Sequence, residues 1–239
     1  MCDKNAFEKT LSSARHAVFF GGAGVSTASG IPDFRSDRGI FTQNYSFSPE
    51  EIVSGRFFHR YPEKFYAFYK SKMLFPSAKP NACHLKLAEL EKKGVIKSVV
   101  TQNIDGLHQK AGSKNILELH GSALRNYCLS CGAFYPMEYI LSSEGVPVCS
   151  ICGGTVKPDV VLYGENLDPA VLQKTAEEIE KADLLIVGGT SLAVYPAASF
   201  VDFFKGTLAV VNKSPTPADE KADFLFREDI ASFFASLDV

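Results

Sequence analysis

Ala17-Val18-Phe19-Phe20-Gly21-Gly22-Ala23-Gly24-Val25-Ser26 runs from four apolar residues directly into a glycine-rich turn. A run without polar alternation predicts a strand buried on both faces. Similar runs recur at 95–101, 116–119, 184–187 and 208–211, and Phe224 and Leu225 are expected to end the sheet. Helical patterns separate them. One spans 81–93 and stops at Gly94, one opens at Asp168 and Pro169, one lies near 197–205, and the last lies near 230–237. Aspartate ahead of proline marks a helix start and glycine after the last apolar position marks a stop. Buried strands alternating with helices predict an α/β fold with a parallel sheet covered on both faces. Ligands of such sheets bind beyond the carboxyl ends of the strands, so the residues just after each run carry the functional candidates.

Two segments break this rhythm. Residues 31–78 read as a helical, aromatic-rich insertion in which Ser48-Pro49-Glu50-Glu51 has the form of a capping box. Residues 122–157 hold four cysteines among short, turn-punctuated pieces. Together they are expected to form a smaller domain, leaving 1–30, 79–121 and 158–239 to the sheet domain.

Composition excludes several classes. The chain has 239 residues, 46% apolar and 22% charged, which is ordinary for a globular protein and not for a disordered one. Lysine plus arginine number 25 against 27 acidic residues, a net charge of −2 that gives no drive toward nucleic acid or anionic membrane. No stretch approaches the roughly 18 apolar residues of a membrane span. The first nine residues carry charges and lack an apolar signal core. A cytoplasmic, monomeric chain is expected.

Cys128-Leu129-Ser130-Cys131 and Cys149-Ser150-Ile151-Cys152 form a C-x2-C-x17-C-x2-C array. This spacing points to zinc held by four thiolates, and four thiolates leave no open position for chemistry. Two disulfides are the alternative, disfavoured in a reducing compartment. Cys2 and Cys83 stand alone.

The glycine turn is an incomplete dinucleotide fingerprint: Thr27 stands where a third glycine belongs, and no acidic residue follows a second strand at the expected place. Its continuation is more specific. Gly22-Ala23-Gly24-Val25-Ser26-Thr27-Ala28-Ser29-Gly30-Ile31-Pro32-Asp33-Phe34-Arg35 resembles the signature of the sirtuins, NAD-dependent protein-lysine deacylases. Four further blocks resemble sirtuin motifs in order: Thr101-Gln102-Asn103-Ile104-Asp105-Gly106-Leu107-His108, Leu119-His120-Gly121, Val161-Leu162-Tyr163-Gly164-Glu165, and Gly189-Thr190-Ser191-Leu192-Ala193-Val194-Tyr195-Pro196.

The resemblance implies a Rossmann-like large domain and a reaction in which the acyl oxygen of a modified lysine displaces nicotinamide from NAD. The products are nicotinamide, free lysine and O-acetyl-ADP-ribose. It implies that Gly22, Ala23, Gly24, Ser26 and Thr27 face the diphosphate, with Asp33 and Arg35 beside them and Phe34 covering the nicotinamide ribose. Gln102 is expected on that ribose, Asn103 with Ser26 on a water or hydroxyl, and Asp105 with the Ile104 backbone on the nicotinamide amide. His120 is the expected general base, its ordinary pKa near ~6.5 suited to proton removal; His108 is its rival and is read as structural. Gly189, Thr190 and Ser191 are expected at phosphate or adenine ribose, Asn212 at the adenosine ribose, and Asp229 and Ile230 around the adenine. The segment Val161, Leu162, Tyr163, Gly164, Glu165 is expected to be an extended edge that adds the substrate peptide as a strand, with Val161 on the acyl-lysine tunnel.

Sirtuins that prefer succinyl- or malonyl-lysine carry a Tyr-x-x-Arg pair on the helical insertion, and the nearest candidate for it in this chain is Tyr69-Lys70-Ser71-Lys72. Lysine lacks arginine's bidentate grip on a carboxylate, so acetyl is the expected acyl group, with Tyr69 near it. The alternatives weighed are a deacylase of other acyl groups, ADP-ribosyl transfer to protein on the same scaffold, a dehydrogenase, and a zinc-ribbon module for nucleic acid. The broken fingerprint speaks against the dehydrogenase, and the near-neutral charge against the nucleic-acid module.

Overall fold

The computed structural model describes residues 3–34, Gly39 and residues 47–239. Asp3 accepts from the amides of Asn5 and Ala6 and so caps α1 (Lys4–Ser13), which leads into β1 (Ala17–Gly21). The helical insertion contributes α2 (Pro49–Ile52), α3 (Gly55–Arg60) and α4 (Pro62–Lys72). Next come α5 (Ala82–Lys92), β2 (Ile96–Thr101), α6 (Leu107–Ala111) and β3 (Ile116–Glu118). The cysteine segment supplies β4 (Gly121–Cys128), β5 (Phe134–Pro136), α7 (Met137–Ser142) and β6 (Val156–Val160). The chain returns through α8 (Pro169–Lys181), β7 (Leu184–Gly188), α9 (Ser199–Asp202), β8 (Thr207–Val211), β9 (Phe224–Phe226) and α10 (Ile230–Ala235).

Six strands form one parallel sheet in the order β3-β2-β1-β7-β8-β9. Strand order reverses between β1 and β7, which makes their carboxyl ends the switch point where a ligand crevice forms. Alternate residues of β1 serve different cores: Ala17 and Phe19 pack with Phe7, Leu87 and Phe233, while Val18 and Phe20 pack with Leu185 and Val201. A strand whose two faces both lie under helices must be apolar throughout, which explains the opening run.

The second sheet is antiparallel, β5-β4-β6. Its core joins Tyr135, Val156 and Val160 to the aromatic side chains of α3 and α4, among them Phe57, Phe58, Phe65, Tyr66 and Tyr69. The two insertions therefore share one hydrophobic cluster, distinct from both faces of the parallel sheet.

Two local expectations changed. The helix read near 197–205 is one turn, Ser199–Asp202. Ser48 does cap α2 by accepting from the Glu51 amide at 3.2 Å, but α2 ends at Ile52 because the chain turns to lay Ser54 beside Tyr163. No helix among the described residues is long and apolar enough to cross a membrane.

Candidate active site

The loops after β1 and β7 meet face to face. The amide of Gly22 donates to the Gly188 carbonyl at 3.3 Å, and that of Gly24 donates to the Gly189 carbonyl at 2.7 Å. A Cβ on Gly24 would lie 2.8 Å from both Gly189 Cα and its carbonyl oxygen, and one on Gly22 would lie 2.8 Å from Thr190 Cβ. The glycines are thus demanded first by this loop-to-loop contact. The Gly24 amide, expected at the diphosphate, is already engaged. Residues Ala23–Ser29 form a 3-10 turn, closed by Thr27 Oγ1 donating to the Gly24 carbonyl at 2.9 Å. Across the crevice Leu192, next after Ser191, holds φ 51°, a left-handed conformation that costs a branched residue energy and is tolerated where a loop is shaped for binding.

The segment after β2 is knit into this turn. Ser26 Oγ donates to Asp105 Oδ2 at 2.6 Å and accepts from Asn103 Nδ2 at 3.1 Å. Asp105 Oδ1 accepts from the Leu107 amide at 2.9 Å and so starts α6. Gln102 Nε2 donates to Thr190 Oγ1 at 3.1 Å, tying the β2 end to the β7 end. Gln102, Asn103, Ile104 and Asp105 are all half-buried, as residues lining a crevice should be.

His120 follows the end of β3. Its Nδ1 lies 2.9 Å from the Gln102 carbonyl oxygen. A carbonyl only accepts, so Nδ1 carries the proton and Nε2 carries the lone pair. Burial holds the imidazole below its ordinary pKa, partly opposed by that carbonyl. His108 is buried against His84, ring centroids 4.7 Å apart, and both are held well below the usual value by burial. It faces the interior beside Phe19, in keeping with a structural residue.

Val161 donates its amide to the His120 carbonyl at 3.0 Å, next to the base. The expected extended edge at 161–165 is instead a single bridge and a turn. Tyr163 gives its amide to Val53 and takes that of Gly55, Gly164 holds φ 83°, and the Glu165 amide returns to the Leu162 carbonyl. Glu165 Oε2 accepts from the Leu162 amide at 2.9 Å and from Lys157 Nζ at 3.0 Å, so this side chain shapes the turn. A carboxylate folded back on its own turn beats an open edge because it satisfies two donors that an edge leaves to water.

Other candidates stand further out. Tyr69 is fully buried, its ring stacked on Phe65 at 5.4 Å and its hydroxyl without a partner among the described residues. Asn212 follows β8, its side-chain amide donating to the Ser214 carbonyl at 2.7 Å. Asp229 caps α10 through the Ser232 amide and pairs with Lys213 at 2.8 Å, which holds its carboxyl below the usual range. Ile230 packs into the core against Gly188. The side chains of both are therefore taken up by the fold. Asp33 and Phe34 are half-buried, with Phe34 against the aromatic core of the small domain; Arg35 lies outside the described residues.

Asn81 was not singled out from sequence, where it is only the start of the 81–93 helix; it caps that helix by accepting from the Cys83 amide at 3.0 Å. Its amide nitrogen donates to the Val25 carbonyl at 2.8 Å and to Ser29 Oγ at 2.9 Å, anchoring the glycine turn from behind. Nothing in local spacing reveals a contact across more than fifty residues.

The four cysteine sulfurs lie within 4.8 Å of one another. Ser130 and Ile151 turn their amides toward the sulfurs of Cys128 and Cys149, both at 3.4 Å, as knuckles around a metal do. The Tyr135 hydroxyl donates to Cys149 Sγ at 3.1 Å and pushes that thiol down to about 6. Four soft donors at this spacing fit a structural zinc ion with a filled coordination shell.

The sequence profile of the Sir2 family matches residues 22–196. An NAD-dependent protein deacetylase of Clostridium perfringens (strain 13 / Type A) is 56% identical over 235 residues, covering 96% of each chain. One from Sulfolobus acidocaldarius is 44% identical over 239 residues, covering 96% of this chain and 91% of that one. Among solved structures, Sir2 with a p53 peptide and NAD+ superposes with a TM-score of 0.87 at 41% identity, covering 97% of this chain and 95% of that one. A histidine-to-alanine Sir2 variant with deacetylated p53 peptide and 3'-O-acetyl-ADP-ribose gives 0.91 at 41% identity, over 97% and 96%.

Proposed function

This chain belongs to the Sir2 family and is an NAD-dependent protein-lysine deacetylase, and we propose that His120 is its general base, acting through Nε2. The carrying observation is the bond from Nδ1 to the Gln102 carbonyl, which fixes the tautomer and aims the basic nitrogen away from that bond. Acetyl-lysine peptide and NAD are the substrates; nicotinamide, free lysine and O-acetyl-ADP-ribose are the products. His120 takes the proton of a ribose hydroxyl, so that this oxygen can accept the acetyl group.

The other residues follow from their placement. Ser26 and Asn103 are already hydrogen-bonded together and present one rigid polar corner to the nicotinamide ribose. Asp105 Oδ2 accepts from Ser26 and keeps a further lone pair, which suits the carboxamide of nicotinamide. Thr190 and Gln102 brace the crevice between the β1 and β7 ends. Gly22, Ala23, Thr27, Gly189 and Ser191 line the diphosphate side, and Asn212 stands at the far end for the adenosine ribose. Phe34 keeps water from the reacting carbon. Val161, beside His120, borders the acyl-lysine entry, and Tyr163 and Gly164 form the turn on which the peptide rests. Cys128, Cys131, Cys149 and Cys152 hold a zinc ion that ties the small sheet together and takes no part in the chemistry. Acetyl is preferred over succinyl, because Lys72, three residues after Tyr69, lacks arginine's bidentate grip on a carboxylate.

Incubation with NAD and an acetyl-lysine peptide, with products weighed by mass spectrometry, tests this. O-acetyl-ADP-ribose is the expected product. His120→Ala should lower its formation by about 10²–10⁴-fold while NAD still binds. The acid limb of kcat/KM should lie below ~6.5, because burial depresses the imidazole. Protein-bound ADP-ribose as the main product, or a fully active His120→Ala, would overturn the reading. So would a peptide preference for succinyl-lysine, for the acyl assignment.

A further inference from the structure

His120 sits on the crossing between the two sheets. Glu118 ends β3 and Gly121 begins β4. The crossing is tight: Gly121 holds φ 74°, and a Cβ there would lie 2.0 Å from the Asp159 carbonyl oxygen. Yet the main-chain ladder that should hold β4 to β6 slips its register between Ser122 and Asn126. Arg125 lies inside that slip. Its Nη1 reaches back to Glu118 Oε2 at 2.8 Å, and its Nε binds Asp159 Oδ2 at 2.8 Å. The other Glu118 oxygen accepts from Gln109 Nε2 at 2.7 Å, so this carboxylate is held from two sides. One guanidinium therefore joins β3, an edge strand of the parallel sheet, to two strands of the small sheet, on either side of His120 in the chain.

We propose that Arg125 is a positioning residue for deacetylation, clamping the crossing so that His120 keeps its place over the cleft. The proposal rests on His120 being the general base. Arginine suits the task because its planar cation offers donors in fixed directions to two carboxylates at once; a lysine ammonium gives one flexible point charge. Glu118 is mostly buried while Arg125 is 39% exposed, so solvent screens the pair and its main effect is on geometry rather than on global stability. Displacement of a catalytic group by about 1 Å can cost about 10²-fold in rate, so even a partial loosening is measurable.

Arg125→Met keeps the apolar stem and removes the cation. Its kcat should fall about 10-fold, with KM for NAD within about two-fold and the melting midpoint nearly unchanged, and Arg125→Lys should recover part of the rate. In single-turnover assays on a His120→Ala background, Arg125→Met should add less than a two-fold loss, because it acts through the missing imidazole. In ¹⁵N spectra His120 should be the Nδ1–H tautomer in the parent protein and a mixture in Arg125→Met. If Arg125→Met does not fold, Glu118→Gln opens the clamp from the other side and carries the same expectations. A folded Arg125→Met with unchanged kcat, or losses that multiply with His120→Ala, would overturn the role of Arg125 while leaving His120 as base. An active His120→Ala would instead remove the base assignment itself.

Discussion

The two sheets bury themselves in different ways. Every residue of β1 and β7 is buried, since helices cover both faces of the parallel sheet. The small sheet alternates: β5 and β6 bury every other residue, and Phe134 and Tyr127 face outward. The first kind of sheet carries its own stability and holds ligand loops rigidly at its strand ends. The second has one core-facing side, an aromatic cluster borrowed from the helical insertion, and a metal knuckle at its far end. His120 stands where the chain passes from the self-supporting sheet to the stapled one, between β3 and β4.

Metal removal should separate the walls most. Chelation should abolish deacetylation and free the amides of β4 and β6 to hydrogen exchange, while those of β1 and β7 stay protected. Structural zinc sites in small domains contribute about 10–16 kcal/mol, more than a three-stranded sheet can replace. A zinc-free protein with a protected small sheet and full activity would break the contrast.

Acid should act on the self-supporting wall. His84 and His108 are buried neutral and bind protons far less readily than in the unfolded chain, whose histidines titrate near ~6.5. Between that value and their depressed folded values the unfolded state holds more protons, so stability falls as pH falls. At pH ~5 the loss is about 2 kcal/mol per histidine. Urea midpoints from pH ~7 to ~5 should record it, and His84→Gln should flatten the slope; a midpoint independent of pH would contradict it.

A matched pair of glycine substitutions sharpens the comparison further. Gly24→Ala meets the Gly189 backbone and should cost about 1–3 kcal/mol and raise KM for NAD. Gly153→Ala in a knuckle has open space but φ 74°, and should cost about 1 kcal/mol with KM for NAD unchanged. Thermal melts and NAD titrations of the two proteins distinguish them. The smallest effect belongs to Tyr69→Phe: removing a buried hydroxyl with no partner among the described residues should leave stability unchanged or raise it by about 1 kcal/mol, measured by calorimetry. A marked loss would show that the hydroxyl has a partner.

Local pattern carried much of this into view. The parallel strands, the caps at Ser48 and Asp168, the glycine turn and the cysteine knuckles all follow from interactions within a few residues, where periodicity and turn chemistry act directly. The turn at 163–165 escaped notice because its shape depends on Lys157 and Val53, brought near only by packing. What Asp229 and Ile230 do in the fold was hidden for the same reason: the Lys213 pair and the core contact join residues that local spacing does not relate.

From its order of residues alone this chain was bound to form a two-face-buried parallel sheet, to wrap four thiols around a metal, and to place polar and glycine residues after its strands. These are consequences of short-range sterics and hydrophobic periodicity. Only the folded arrangement decided which amides the loops spend on each other, which imidazole nitrogen is left basic, and that Arg125 bridges Glu118 and Asp159. Those outcomes depend on contacts between residues far apart in the chain, and such contacts exist only once both sheets have packed.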